Sequence, residues 1–428
     1  MEFKDFGLSA PIMQALIEEG YETPTLIQKQ AIPIIMNNQD LLGCAQTGTG
    51  KTAAFALPLI QKILTNNKEK HIKILVLSPT RELAIQIRDS FRTFAKYTDL
   101  KCSVILGGVN QKSQIEVLKK GIDILVATPG RLLDLIKQKH VKLDQLQYLV
   151  LDEADTMLDM GFIHDVKKII AMAPIKRQTL LFSATMPQSI EELSTTFLNK
   201  PQIVKVTPVS STVSKIKQTL YQIDKTNKPK LLITLLNKET VQSALIFTRT
   251  KHGANKLNDI LISENIKSNV IHGNKSQSAR VIALKQFKEK KIKVLIATDI
   301  AARGIDVREL SHVFNYDMPD QAETYVHRIG RTGRAGFEGQ AISLANVDEL
   351  AMVKEIEKLI KQTLTIITDH NYPMKVFTLT PKKIQVKKYK KNNSYETKTY
   401  NKNLKTNKIK NNYQGNKQRT FNSSNQGK

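Results

Sequence analysis

Ala45-Gln46-Thr47-Gly48-Thr49-Gly50-Lys51-Thr52 lies between an apolar run ending at Leu42 and a helix-like run from Ala53 to Leu64. It reads as strand, Gly-rich loop and helix start, the order of a phosphate-binding P-loop. In such a loop, backbone N–H groups and the helix N-terminus face β- and γ-phosphate oxygens, a lysine (Lys51) adds a full charge, and a hydroxyl (Thr52) faces Mg²⁺. The usual pattern starts with Gly where this chain has Ala45, and a Gly/Thr turn capping a helix is the plain alternative. A second stretch bears on that choice. Leu149-Val150-Leu151 reads as a buried strand, and Asp152-Glu153-Ala154-Asp155 follows it. An acid at the end of such a strand, in a chain with a P-loop, stands where a Walker B residue holds Mg²⁺.

Working outward, residues 1–206 alternate short β-like runs with helical ones. The strand candidates are Ile74-Leu77, Val104-Leu106, Ile124-Ala127, Leu149-Leu151, Leu180-Ser183 and Ile203-Val206. This alternation predicts an α/β domain with a parallel sheet covered by helices on both faces, and ligands at the carboxyl ends of its strands. Polar motifs fall at those ends: Pro79-Thr80-Arg81-Glu82-Leu83, Gly107-Gly108, Thr128-Pro129-Gly130-Arg131 and Ser183-Ala184-Thr185. Residues 207–214 read as a linker.

Residues 215–365 repeat the alternation without a phosphate loop. The predicted strands are Gln218-Ile223, Ala244-Phe247, Asn269-Ile271, Val294-Ala297, His312-Asn315 and Ala341-Leu344. Their ends carry Thr248-Arg249-Thr250, His272-Gly273, Thr298-Asp299, Arg303-Gly304-Ile305-Asp306 and His327-Arg328-Ile329-Gly330-Arg331-Thr332-Gly333-Arg334. Two tandem domains, one with a phosphate loop and one with paired arginines, point to closure of the second on the first. An arginine supplied across a cleft stabilises charge developing on a transferred phosphoryl group. Arg331 and Arg334 are the candidates, surface charge being the plain alternative. Glu153, next to Asp152, is placed to orient or deprotonate an attacking water.

Charge narrows the partner class. The 428 residues hold 65 Lys and Arg against 39 Asp and Glu, a net charge of +26, which implies a polyanion such as nucleic acid but leaves open an anionic surface. From about residue 366 the patterning fades, and residues 366–428 read as a disordered basic tail. Residues 381–428 hold 14 Lys or Arg and one acid, Glu396, half the net charge of the chain. Tyr389, Tyr395, Tyr400, Tyr413 and Phe421 interrupt the charge. Lysines for phosphates and aromatics for stacking suit a single strand, while a solubilising tail fits the composition equally. Only Cys44 and Cys102 are present, so neither a disulfide framework nor a zinc site is indicated. The acidic N-terminal residues lack a signal-peptide pattern, and no apolar stretch approaches membrane-span length. A cytoplasmic protein without a membrane anchor is the expectation.

Together these motifs resemble the DEAD-box RNA helicases over about residues 1–365. Asp152-Glu153-Ala154-Asp155 is the name-giving motif, and Ala45 matches the family's phosphate loop. Phe3 with Gly20 to Gln28 is similar to its adenine-reading Q motif. Thr248 to Asn255 and Ile271 to Gln277 look like the bacterial RhlE type.

The resemblance implies two RecA-like domains of the P-loop NTPase class (helicase superfamily 2), ATP and Mg²⁺ as cofactors, and ATP hydrolysis coupled to local unwinding of short RNA duplexes. It assigns Phe3, Gln28, Ala45, Gln46, Thr47, Gly48, Thr49, Gly50, Lys51 and Thr52 to ATP binding, with Gly304 and Asp306 from the second domain. Asp152 and Thr52 would hold Mg²⁺ largely through water. Lys51, Asp152, Glu153, His327, Arg331 and Arg334 would serve catalysis. Asp155, Ser183 and Thr185 would couple ATP state to RNA. Thr80, Arg81, Gly108, Thr128, Arg131, Arg249, Arg280 and Thr298 would line an RNA path through backbone contacts. Ribosomal precursors or RNA-decay proteins are the implied partners. An RNA clamp that does not unwind, or a DNA translocase, is compatible with the same residues.

Overall fold

The computed structural model describes residues 1–46, 48–64, 71–206, 216–302, 305, 307, 310–333 and 339–377. Its first domain is built on seven parallel strands: β1 (Leu41–Cys44), β2 (Ile74–Leu77), β3 (Cys102–Ile105), β4 (Ile124–Ala127), β5 (Tyr148–Leu151), β6 (Gln178–Ser183) and β7 (Gln202–Lys205). Their order is β3-β4-β2-β5-β6-β1-β7, with Leu41 opposite both Leu180 and Gln202. Strands β2, β4 and β6 are buried along their whole length. Such continuous apolar runs are what a parallel sheet with two covered faces requires. Alternate residues feed opposite cores. Ile74 and Val76 pack with the helices Leu26–Met36, Lys51–Leu64 and Arg81–Phe94, whereas Leu75 and Leu77 pack with Pro129–Lys137, Ile163–Ala171 and Gln188–Phe197.

The second domain has β8 (Ile216–Gln222), β9 (Ala244–Phe247), β10 (Ser268–Ile271), β11 (Val294–Ala297), β12 (His312–Asn315), β13 (Gly339–Ala345) and β14 (Thr365–Ile366), in the order β10-β11-β9-β12-β13-β8-β14. This is the first order shifted by seven, so the two sheets are topological copies. Both are parallel sheets, as the alternation predicts, and they match the pair of RecA-like domains that the resemblance implies.

Packing continues past residue 365, where the sequence pattern fades. β14 pairs with β8 at Thr219 and Leu220, Ile367 N–H donates to the Leu220 carbonyl at 2.9 Å, and Tyr372 lies against the second core. The N–H groups of Lys375 and Val376 then donate to the Asp224 carboxylate. A two-residue strand is too short to leave a period in the sequence. The linker 207–214 and the basic segment 381–428 fall outside the described residues.

Candidate active site

β1 delivers the chain to Ala45, the loop turns through Gly48 (φ +86°) and Gly50 (φ +92°), and the helix Lys51–Leu64 begins. Lys51 is buried, and its ammonium donates to the Ala45 carbonyl at 2.7 Å, which folds the lysine back over its own loop. Thr49 Oγ1 closes the turn onto the Gln46 carbonyl at 2.7 Å. Thr52 stands in the first helical turn behind the lysine. Thr47 is outside the described residues.

The N-terminal segment is fastened to this loop. Gln28 sits in a capping box with Thr25, its Oε1 accepting from Thr25 N–H at 2.8 Å, while its amide donates to the Gly50 carbonyl at 3.2 Å. The approach is close enough that a Cβ on Gly50 would meet Gln28 Nε2 at 2.5 Å. Phe3 is 2% exposed, its ring edge-on to Phe6 and to Tyr21. The structure therefore places Phe3 beneath Tyr21, which keeps 37% of its surface exposed. Sequence reading passed over Tyr21.

β5 ends at two buried acids. Asp152 Oδ1 accepts the Glu153 N–H at 3.0 Å, and Glu153 takes φ 53°, ψ 54°. That left-handed conformation costs on the order of 1–3 kcal/mol for a residue with a Cβ. Burial raises the pKa of Glu153 to about 7, reinforced by the Asp152 charge and opposed by Lys51 and Arg331. Asp152 is raised too, by burial first, with Lys51 drawing it back. Two adjacent buried carboxylates suit a divalent cation. No group of three or more His, Cys, Asp or Glu side chains that could hold a metal ion gathers among the described residues.

Asp155 has hydrogen-bond partners of its own. Its Oδ2 accepts from the N–H groups of Ala184 and Thr185 and from Thr185 Oγ1, at 3.0–3.1 Å. This joins the end of β5 to the end of β6. Ser183 is fully buried. Asp155 and Thr185 line a cleft of about 670 Å³ whose far wall is second-domain residues including Asp320, Glu323 and His327.

From the second domain, Arg331 is 8% exposed, donates to the Ile305 carbonyl at 2.9 Å and lies near enough to Glu153 to lower its pKa. Its neighbour Arg328 is a framework residue. It pairs bidentately with Asp299 at 2.6 and 2.7 Å, donates to Asn315 and to the Asp317 carbonyl, and sits 4.9 Å from the Phe247 ring centroid. Gly304, Asp306 and Arg334 are outside the described residues.

Of the candidate RNA residues, Thr80 caps the helix Arg81–Phe94 by accepting from Leu83 N–H at 3.3 Å. The Arg81 guanidinium occupies the space a Cβ on Gly108 would need, and Gly108 has φ +73°. Arg131 donates to the Val109 carbonyl at 3.2 Å, holding the same glycine loop. Thr128 and Thr298 stand at the starts of the helices that follow β4 and β11. Arg249 keeps 45% of its side chain exposed.

Arg280 is placed differently. Its Nη2 is 2.7 Å from Glu82 Oε2, and Gln277 Nε2 donates to Glu82 Oε1 at 2.8 Å. Glu82 is 4% exposed and Arg280 8%. The guanidinium is engaged by a carboxylate of the other domain, which makes it part of a buried interdomain contact. No period or motif spacing announces a pair 198 residues apart.

Residues 25–193 match the DEAD/DEAH box helicase family, and residues 227–336 match the helicase conserved C-terminal domain. The chain is 47% identical over 370 residues to RNA helicase CrhR of Synechocystis, covering 86% of this chain and 75% of that one. It is 43% identical to the DEAD-box ATP-dependent RNA helicase CshA of Bacillus subtilis, covering 85% and 73%. The chain belongs to the DEAD-box RNA helicases. Among solved structures, Dbp5 of S. cerevisiae bound to RNA and ADP BeF3 superposes with a TM-score of 0.78 at 31% identity, covering 85% of this chain and 95% of that one.

In this DEAD-box helicase the Glu82 pair exists only while the two domains touch. Removing one member leaves a buried charge unpaired. Arg280→Ala is expected to weaken the mutual reinforcement of ATP and RNA binding roughly ten- to hundred-fold, the size of a missing charged hydrogen bond. Binding titrations of each ligand in the presence of the other check this, and unchanged cooperativity would count against a closure contact.

Proposed function

We propose that this chain is an RNA-stimulated ATPase that separates short RNA duplexes by closing its two domains around ATP and one strand. The observation that carries this reading is the meeting of Lys51, Asp152 and Glu153, at the end of one sheet, with Arg331 from the other. The glycine loop and Lys51 bind the β- and γ-phosphates, with Gln28 fixing the loop from behind. Asp152 and Thr52 would hold Mg²⁺, which, when bound, would neutralise charge on phosphate oxygens. Glu153 orients and deprotonates the attacking water. Arg331 faces the charge that develops on the transferred group, so hydrolysis requires closure. Thr80, Arg81, Gly108, Thr128, Arg131, Arg249 and Thr298 present a backbone-reading track, with Arg280 supporting it from the domain contact. Asp155, Thr185 and His327, which line one cleft, would pass closure from RNA to nucleotide.

The finer assignments rest on sequence. Thr248 to Asn255 and Ile271 to Gln277 support a bacterial RhlE type, and the free thiols of Cys44 and Cys102 fit a reducing cytoplasm. Among the described residues no helix is long and apolar enough to cross a membrane. Ribosomal precursors and RNA-decay complexes suit a basic surface that reads phosphates. The segment 381–428 would add a non-specific grip on RNA. Its deletion is expected to weaken RNA binding and to flatten the salt dependence by roughly 0.7 in log–log slope for each RNA phosphate it no longer neutralises. A slope that does not move would reduce the segment to a solubiliser.

Steady-state ATPase of the full chain, alone, with single-stranded RNA and with matching DNA, tests the reading, Lys51→Ala being the control. Stimulation by RNA alone, abolished in the control, is the expected result. Equal stimulation by DNA would favour a translocase, and stimulation without duplex release a clamp.

A further inference from the structure

Glu349 stands at the start of the helix Leu350–Ile360, outside every motif above, and is 4% exposed. Its carboxylate takes four donors, two on each oxygen. Oε2 accepts from Lys228 Nζ at 2.6 Å and from Asn346 N–H at 3.1 Å. Oε1 accepts from Arg249 Nη2 at 3.1 Å and from Met318 N–H at 3.0 Å. One acid thus gathers the helix Lys228–Leu236, the arginine after β9, and the turn after β12.

That turn, Tyr316 to Asp320, is the entry to the helix Ala322–Ile329, which carries His327 and leads to Arg331. Arg249 is fixed against it from several sides. Its Nη2 also donates to the Met318 carbonyl at 3.1 Å, its Nε lies 3.3 Å from Asp320 Oδ1, and its own N–H donates to Asp317 Oδ2 at 2.9 Å. Lys228, 1% exposed in its side chain, ties the same turn through the Tyr316 carbonyl at 2.7 Å. Held in this way, the Arg249 side chain still keeps 45% of its surface exposed.

We propose that Glu349 is a positioning residue for RNA-stimulated hydrolysis. By holding Nη2 of Arg249 and the N–H of Met318 on one carboxylate oxygen, it presents the Arg249 guanidinium to an RNA phosphate in a fixed pose. It also locks that arginine to the turn from which His327 and Arg331 are launched. Long arginine side chains lose considerable rotamer freedom on binding, and a fork already held loses less. The inference rests on the reading of Arg249 as an RNA contact.

A double-mutant cycle between Glu349 and Arg249 tests it, measured on the full chain as the oligouridylate concentration giving half-maximal ATPase stimulation, with the maximal rate recorded separately. Glu349→Gln keeps the shape and an acceptor oxygen but loses the charge. It is expected to raise the half-saturating RNA concentration roughly ten-fold, and to add less than about two-fold once Arg249 is already alanine. An equal factor in both backgrounds would mean that Glu349 serves only the fold, and would overturn the proposal. Arg249→Ala alone leaving RNA half-saturation unchanged would instead show that the RNA reading of Arg249 has failed, and the proposal with it. Should Glu349→Gln not fold, Arg249→Lys decides at an exposed position. A lysine keeps the charge but cannot span Glu349, Met318 and Asp320 together, so it is expected to weaken RNA stimulation nearly as much as alanine. Full function with lysine would overturn the held-fork idea.

Discussion

Arg331→Ala is expected to lower the RNA-stimulated maximal rate of ATP hydrolysis by about 10³-fold or more, within the 10³–10⁵ range of an arginine supplied across a cleft, while ATP and RNA are still bound. Arg331 belongs to the second domain and Glu153 to the first, yet the guanidinium is close enough to draw the carboxyl's pKa down. The same side chain is anchored by the Ile305 carbonyl at 2.9 Å and is 8% exposed, so its position is fixed before any phosphate arrives. An anchored cation needs no reorganisation when charge develops, which is the condition under which electrostatic stabilisation is largest. Burial also raises the rival explanation that Arg331 only holds the domain together. The two separate in measurement. A framework role predicts a lowered unfolding temperature with partial activity in whatever fraction is folded. A catalytic role predicts near-normal unfolding with a collapsed maximal rate, and Arg331→Lys recovering little. A drop smaller than ten-fold would leave the cleft arginine without its function.

Much of the fold is legible from period and punctuation. β2, β4, β9 and β11 have the residues the apolar runs predict, because strands buried on both faces must be apolar throughout. The edges are harder. β3 begins at Cys102, ahead of its apolar run, and β14 is two residues long, so neither carries a pattern of its own. Within the site, Lys51, Asp152, Glu153 and Asp155 are legible because each follows a strand in a topology that gathers strand ends. Contacts made across the fold are not. Glu82 with Arg280, and Glu349 with Arg249, join residues about 100 to 200 apart, and a single charged side chain in sequence reads by default as solvated surface. Phe3 shows a third kind of limit. An aromatic at the right spacing gives no sign of whether its face is open or, as here, covered by Phe6 and Tyr21.

Glu153→Gln is expected to lower RNA-stimulated ATP hydrolysis by about 10²–10⁴-fold, the contribution of a positioned general base. The left-handed backbone at Glu153 turns the residue out of line with the helix that follows, and the Asp152 carboxylate fixes it by accepting its N–H. Burial holds its pKa near 7, so proton uptake from a water is less unfavourable than for an ordinary surface carboxylate. Lys51 and Arg331 oppose that shift. Glutamine is near-isosteric and can orient a water but cannot accept its proton. The variant should therefore bind ATP and close on RNA, then fail to reset. Because both ligands favour the closed form, a protein stalled before hydrolysis should retain RNA longer in the presence of ATP than the unaltered chain does. RNA dissociation rates measured with and without ATP would register that difference. Rapid turnover by the variant, or RNA release indifferent to ATP, would move the role of water activation away from Glu153.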